Sequence, residues 1–273
     1  MDNNEYIKYA LSATRAKIAY MKSSEVHTLW LQSEKDTSHI SYYIFDRVQN
    51  SPRYFFDEDT RTNGYSWTQD KVLYIIFRGT SDREDIIIDL DTDSKPLFLD
   101  RTDILVHGGF LKQLLSICDI ILGEININFD FIDTIHFSGH SLGAGVATLA
   151  AAYTASILST NERKKKIVCH TFGSSRVGNY KFCQYFNAIV DETVRIVNFK
   201  DPIPLVPVSC RFYHVANEIC IDDECIATDR PWFLRLLCIP FAIDCCQPIA
   251  YHTCNMYIDR LLKLGEFNVV PLP

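Results

Sequence analysis

Apolar side chains recur along this chain at two spacings. Between residues 4 and 22 they fall at Ile7, Ala10, Leu11, Ile18 and Met21, with Thr14 on the same stripe. That is helical spacing with a polar opposite face. Ile40 to Val48 and Val72 to Phe77 read as strands, separated by a polar, turn-rich stretch, Gln49 to Asp70. Asn63-Gly64 within it is a hairpin signal, so an antiparallel pair is expected at the edge of a sheet. Val106 to Phe110 (VHGGF) turns into a helix reaching roughly Ile125. Its buried face is expected to carry Leu111, Leu114, Leu115, Cys118, Ile121 and Leu122. Ile132 to Phe137 alternates as a strand does, and a small-residue run, Ala144 to Tyr153, reads as a helix. A strand over Ile167 to Phe172, a turn over Gly173 to Asn179 leading into a helix, and a strand over Thr193 to Phe199 follow. Alternating strands and helices from residue 72 to 199 predict an α/β fold: a mostly parallel central sheet with helices on both faces. With no internal repeat, low-complexity segment or convincing linker, residues 1–273 are expected to form one domain.

One segment resists this pattern. Asp82 to Leu99 mixes Ile86, Ile87, Ile88, Leu90, Leu97 and Phe98 with six acids. It suits a buried strand, a short helix with one apolar face, or an ordinary surface helix packed on the core.

Composition narrows the function. Lys and Arg number 27 against 34 Asp and Glu, a formal net charge of −7. That balance argues against nucleic acid as a main partner and disfavours tight binding to anionic membrane surfaces. The first residues are acidic and polar, and Glu5, Lys8, Arg15 and Lys17 interrupt any apolar run, so no signal peptide is expected. No long apolar stretch suggests a transmembrane span. A cytoplasmic location is therefore expected, with association to membranes or lipid droplets left open. The ten cysteines are expected to be reduced and mostly core-packing; Cys220 and Cys225 are too isolated for a zinc site. The basic loop Ser159 to Lys166 reads as solvated.

The chemistry centres on residues 139–143, Gly-His-Ser-Leu-Gly, set between the predicted strand and the predicted helix. Strand, tight turn and helix with G-x-S-x-G at the corner is the nucleophile elbow of α/β-hydrolases. The serine backbone there is strained, and a Cβ two residues to either side would collide with the crossing strand and helix. Ser141 is the expected nucleophile, and it needs a base and an orienting acid further along the chain. His170 lies inside a predicted strand and suits the core. His214 lies in a strand-like stretch, Phe212 to Ile221, and suits a structural role beside the site. His252 follows a Pro-containing loop and precedes a helix, Thr253 to Leu264, an exposed position fit for a general base. Asp201 directly follows the strand ending at Phe199, on a loop stiffened by Pro202 and Pro204, and is the expected acid. Asp191 stands at the wrong end of that strand, and Asp244 is an alternative. An oxyanion hole needs two donors, expected from the N–H of Leu142 and from Thr80, which follows the strand Val72 to Phe77. No metal ion or cofactor is called for.

Taken in order, FRGTS (Phe77 to Ser81), VHGGF, GHSLGAG (Gly139 to Gly145), FGSSRVGN (Phe172 to Asn179), NFKDPIPLVP (Asn198 to Pro207) and YHVANE (Tyr213 to Glu218) resemble the class 3, fungal-type triacylglycerol lipases. The resemblance runs from about residue 71 to 264. It implies an α/β-hydrolase fold, Ser141, Asp201 and His252 as catalytic triad, and Thr80 with Leu142 as oxyanion donors. It also implies a mobile lid over Ser81 to about Leu97, with Ile86, Ile87, Ile88 and Leu90 facing lipid. Ile86 stands where fungal lipases often carry Trp, Ser175 where the family usually has Pro, and GAG where GGA is commoner. Lipid hydrolysis wants an apolar surround, so Trp232 to Ile243 is either a buried helix or an acyl-chain wall that docks on the interface. The expected function is carboxylester hydrolysis of tri- or diacylglycerol at a lipid–water interface through an acyl-enzyme. An sn-1 phospholipase and an inactive lipase-like scaffold are the alternatives.

Overall fold

The structure, a computed structural model, describes residues 2–33, 36–48, 50–79, 93–159, 164–207, 211–222 and 248–272. Its described strands are β1 (Arg53–Phe56), β2 (Asn63–Gln69), β3 (Val72–Phe77), β4 (Ser94–Phe98), β5 (Arg101–His107), β6 (Thr134–His140), β7 (Lys166–Phe172), β8 (Glu192–Asn198) and β9 (Glu218–Ile221). All but β4 and β5 join one sheet in the order β1-β2-β3-β6-β7-β8-β9. β1, β2 and β3 pair antiparallel, and every pairing from β3 to β9 is parallel. The expected parallel sheet with an antiparallel edge is present.

The described helices are α1 (Asn3–Ile18), α2 (Ser23–Gln32), α3 (Ile40–Phe45), α4 (Gly108–Asn128), α5 (Leu142–Leu158), α6 (Tyr180–Ile189) and α7 (Cys254–Leu264). They cover both faces of the sheet. Side-chain alternation along the strands feeds two cores: Leu73, Ile75 and Phe77 of β3 pack with α4, α5 and α6, while Ile76 packs with α1, α3 and α7. No helix among the described residues is long and apolar enough to cross a membrane.

Several expectations change. Ile40 to Val48 is not a strand: residues 40–45 form α3, with Ile40, Ile44 and Phe45 buried. Ile40 and Ile44 stand one helical turn apart, and the His39 ring caps the helix by accepting from the Ser41 N–H. Burial of those side chains, about 1.5–3 kcal/mol each, outweighs the β preference of the run. The antiparallel edge is instead built by β1 and β2, from within the stretch read as turn-rich; Asn63-Gly64 opens β2 rather than forming a hairpin turn. On α4, Leu115 is 57% exposed and Leu122 only partly buried, whereas Phe110, Ile117 and Ile125 are buried. Residues 94–98, inside or beside the implied lid, form β4, which pairs with β5 in a two-stranded ribbon.

Two residues of the face of α1 read as polar, Ser12 and Arg15, are turned inward, as is Thr14 on the apolar stripe; all three are buried. The Ser12 hydroxyl lies between two buried rings, 3.3 Å from His136 Nε2 and 3.2 Å from His170 Nδ1. The Arg15 guanidinium lies 4.2 Å from the Tyr74 ring centroid and reaches Gln69. Such partners are what make buried polar groups tolerable.

Candidate active site

β6 carries the chain straight to Ser141, whose backbone stands at φ 59° and ψ −129°. For a residue with a Cβ this is strained, and the surroundings must hold it. Ser141 N–H donates to the Phe172 carbonyl of β7 at 3.0 Å. A Cβ on Gly139 would sit 2.8 Å from the Ala144 nitrogen, and one on Gly143 2.5 Å from the Phe77 carbonyl oxygen. Both glycines are therefore required by close approach, as the sequence suggests. Helix α5 starts at Leu142, so its unpaired N–H groups and positive dipole end begin beside the serine.

Asp201 follows β8 on a loop that closes as a 3₁₀ turn, Ile203–Leu205. It is buried, and its carboxylate is fully engaged. Oδ1 accepts from the Ile203 N–H at 2.9 Å; Oδ2 accepts from His252 Nδ1 at 2.7 Å and from the Tyr257 hydroxyl at 2.5 Å. His214 donates to the Pro204 carbonyl at 2.6 Å and stiffens the same loop, the structural role expected of it. Because Nδ1 of His252 carries the proton given to Asp201, its Nε2 is left with a lone pair. Among the described residues, neither His252 Nε2 nor Ser141 Oγ has a hydrogen-bond partner. Catalytic hydrogen bonds are often loose before substrate binds.

His252 was expected to be exposed, yet it is 5% exposed. The 3₁₀ turn Pro248–His252 and the start of α7 seat it over Asp201, and its ring lies 4.5 Å from that of His140, the residue before Ser141. Gly173, at φ 59°, leaves the space this requires: a Cβ there would stand 2.8 Å from Asp201 Oδ2 and 2.9 Å from His252 Nδ1. Asn198 braces the turn from beneath, donating to the Tyr251 carbonyl at 2.7 Å and accepting from Arg260 at 3.0 Å.

Tyr20, Tyr257 and the role of His140 at the site had no signal in the sequence. Tyr257 donates to Asp201; burial, and then the Asp201 charge, push its pKa well above the ordinary tyrosine value, so it remains a donor. His140 lies 2.5 Å from the His252 carbonyl through Nε2 and 2.9 Å from the Tyr20 hydroxyl through Nδ1. Burial, and then the neighbouring His252, push the His140 pKa well down, which keeps the ring neutral.

The remaining candidates are placed as follows. His170 is fully buried in β7, as expected of a core residue, and Asp191 accepts from the Ile167 N–H at 2.7 Å, away from the site. Thr80, Ile86, Ile87, Ile88, Leu90, Asp244 and the stretch Trp232 to Ile243 lie outside the described residues.

The chain is 32% identical to the secreted mono- and diacylglycerol lipase 1 of Fusarium solani over 175 residues, which is 60% of this chain and 46% of that protein. It is 30% identical to Lipase A of Sodiomyces alcalophilus over 169 residues, half of this chain and 40% of that one. The chain thus spans less than half the length of these curated relatives. The triacylglyceride lipase of Rhizomucor miehei superposes with a TM-score of 0.70 at 21% identity, covering 83% of this chain and 84% of that one. A triacylglycerol lipase described as having a serine protease triad at its catalytic centre superposes at 0.66 and 22% identity, covering 82% of each chain. At such identities the likeness shows the fold, an α/β-hydrolase fold. The model of the family described as Lipase (class 3) matches residues 74–210, half of the chain. With the strained elbow at Ser141 and the ordered motifs around it, the chain belongs to the class 3 lipases.

Proposed function

We propose that this chain is a serine hydrolase that cleaves carboxylic esters of glycerolipids, tri- and diacylglycerols foremost, at a lipid–water interface. The observation that carries the reading is the buried His252–Asp201 pair, 2.7 Å apart, set beside a strained Ser141. His252 Nε2 removes the Ser141 proton as Oγ attacks the ester carbonyl. The resulting oxyanion is held by the Leu142 N–H at the start of α5 and by Thr80. The alcohol leaves with the proton from His252. Water, deprotonated by the same ring, then releases the fatty acid and restores the serine. Asp201 keeps the proton on Nδ1 and offsets the charge the ring acquires. The family, and the likeness to a mono- and diacylglycerol lipase of Fusarium solani, support the substrate class.

An active-site-directed fluorophosphonate tests this. Wild type should be labelled and Ser141→Ala should not, with turnover of emulsified triolein falling to near background in the variant, a loss of about 10⁶ at most. Equal labelling of both, or none of the wild type, would remove the proposal. Comparing neutral glycerides with phospholipid in the same assay separates lipase from phospholipase.

A further inference from the structure

The hydrolase reading leaves Tyr20 and His140 without a task, yet they connect four separate parts of the site. Tyr20 lies just beyond α1, Gly79 in the turn after β3, His140 at the end of β6, and His252 before α7. The direction of the bonds is fixed by chemistry. The His252 carbonyl can only accept, so His140 Nε2 carries the proton. In a neutral ring Nδ1 must then accept, so the Tyr20 hydroxyl donates. The Tyr20 oxygen is free to accept in turn, and it lies against the Gly79 backbone, the nearest atom that a Cβ on Gly79 would strike. The turn has no slack: a Cβ on Gly79 would lie 2.6 Å from the His140 carbonyl oxygen and 3.1 Å from Ser141 Cβ. The Arg78 guanidinium lies 5.7 Å from the Tyr20 ring centroid, within cation–π range.

We propose that Tyr20 and His140 are positioning residues for ester hydrolysis: together they form a strut, hydrogen-bonded through His140, from the Gly79 turn to the His252 backbone, setting the base at a fixed place about Ser141. Asp201 fixes the direction of the His252 ring but does not fix the backbone that carries it. The strut constrains that backbone at the His252 carbonyl itself, beside the Asn198 brace on Tyr251, and ties it to the turn at Gly79. Bonds arranged head to tail polarise one another, so removing one end weakens the rest.

This inference rests on the hydrolase reading, so the test separates the two. Steady-state hydrolysis of soluble p-nitrophenyl butyrate is compared for wild type, Tyr20→Phe, His140→Gln and His140→Leu, with thermal melting of each. Tyr20→Phe should lower kcat about tenfold with KM changed by less than about twofold, at a near-normal melting temperature. Fluorophosphonate labelling of Ser141 should slow in proportion. His140→Gln, which keeps a donor for the His252 carbonyl, should retain more kcat than His140→Leu. Independently of activity, the imidazole ¹⁵N shifts of His140 should report the neutral Nε2–H form at neutral pH and move in Tyr20→Phe. A kcat within about twofold of wild type for Tyr20→Phe, equal losses for Gln and Leu, or an Nδ1–H ring would each overturn the strut. A wild type with neither turnover nor labelling would remove the hydrolase reading and this role with it, whatever the ¹⁵N shifts say.

Discussion

Asp201 accepts three hydrogen bonds while lying almost wholly out of water. A buried carboxylate is tolerable only when so provided for, and each donor has a separate effect when removed. Asp201→Asn keeps the shape but lets His252 adopt the wrong tautomer; kcat should fall about 10⁴-fold on a soluble ester, with folding retained. Tyr257→Phe leaves the Asp201–His252 bond in place but strips one donor from Oδ2. It should cost about 1–3 kcal/mol in urea unfolding, with a smaller loss of kcat than Asp201→Asn. At this scale the sequence was informative where a residue's role has a local mark. Ser141 sits in a motif whose glycines are demanded by backbone contact, and Asp201 follows a strand on a proline-stiffened loop. His252 was identified by its place in the chain, but its burial was not, because burial depends on α7 and His140 folding over it. Tyr20, Tyr257 and the role of His140 had no mark at all: Tyr20 meets its partner 120 residues away, and a tyrosine looks the same in sequence whether its hydroxyl faces water or a carboxylate.

Among the elements, the unit of β6, elbow and α5 is the least tolerant of change. Gly143→Ala would drive a methyl group into the Phe77 and Arg78 backbone and should destabilise by at least about 1–3 kcal/mol, read as a shift in urea midpoint. Gly123 offers the contrast. It lies within α4, and a Cβ there meets nothing within 4 Å. Gly123→Ala should therefore stabilise by about 0.5–1 kcal/mol in the same measurement. The central strands β3, β6, β7 and β8 were legible from their own residues: β3 is a continuous apolar run, β6 alternates into the G-x-S-x-G turn, and β7 and β8 carry apolar residues between polar loops. β1 and β4 were not: each is short, and β1 gains its order from β2 rather than from its own pattern. The Ile40 run was misread because isoleucine, tyrosine and phenylalanine favour strands in isolation, while burial of Ile40 and Ile44 on one face decides the matter here.

For the molecule as a whole, three enclosed histidines set the response to acid. His136, His140 and His170 all have pKa values pushed down, in each case chiefly by burial. A neutral ring that resists protonation in the native state binds protons freely once unfolded. Their contribution is therefore complete above the ordinary histidine pKa, about 6.5, and is lost as pH falls below it, by up to about 1.4 kcal/mol per pH unit for each ring. Urea midpoints should accordingly drop between pH 7.5 and 5.5, and His136→Gln should flatten that slope by about one proton's worth. The sheet order was foreseeable only in outline, since which helix covers which face is settled by contacts between distant segments. The clearest such contact joins the two ends of the described chain: Lys17 donates to the Leu272 carbonyl at 2.8 Å and Ile40 to the Val270 carbonyl at 2.9 Å. Helix α7 is also the element that follows His252. During synthesis, then, Ser141 leaves the ribosome long before His252, and α1 gains its packing against α7 only after that helix has been made. A nascent polypeptide that carries Ser141 but not yet His252 therefore lacks the ring that would activate its serine, a safeguard that comes from chain order alone.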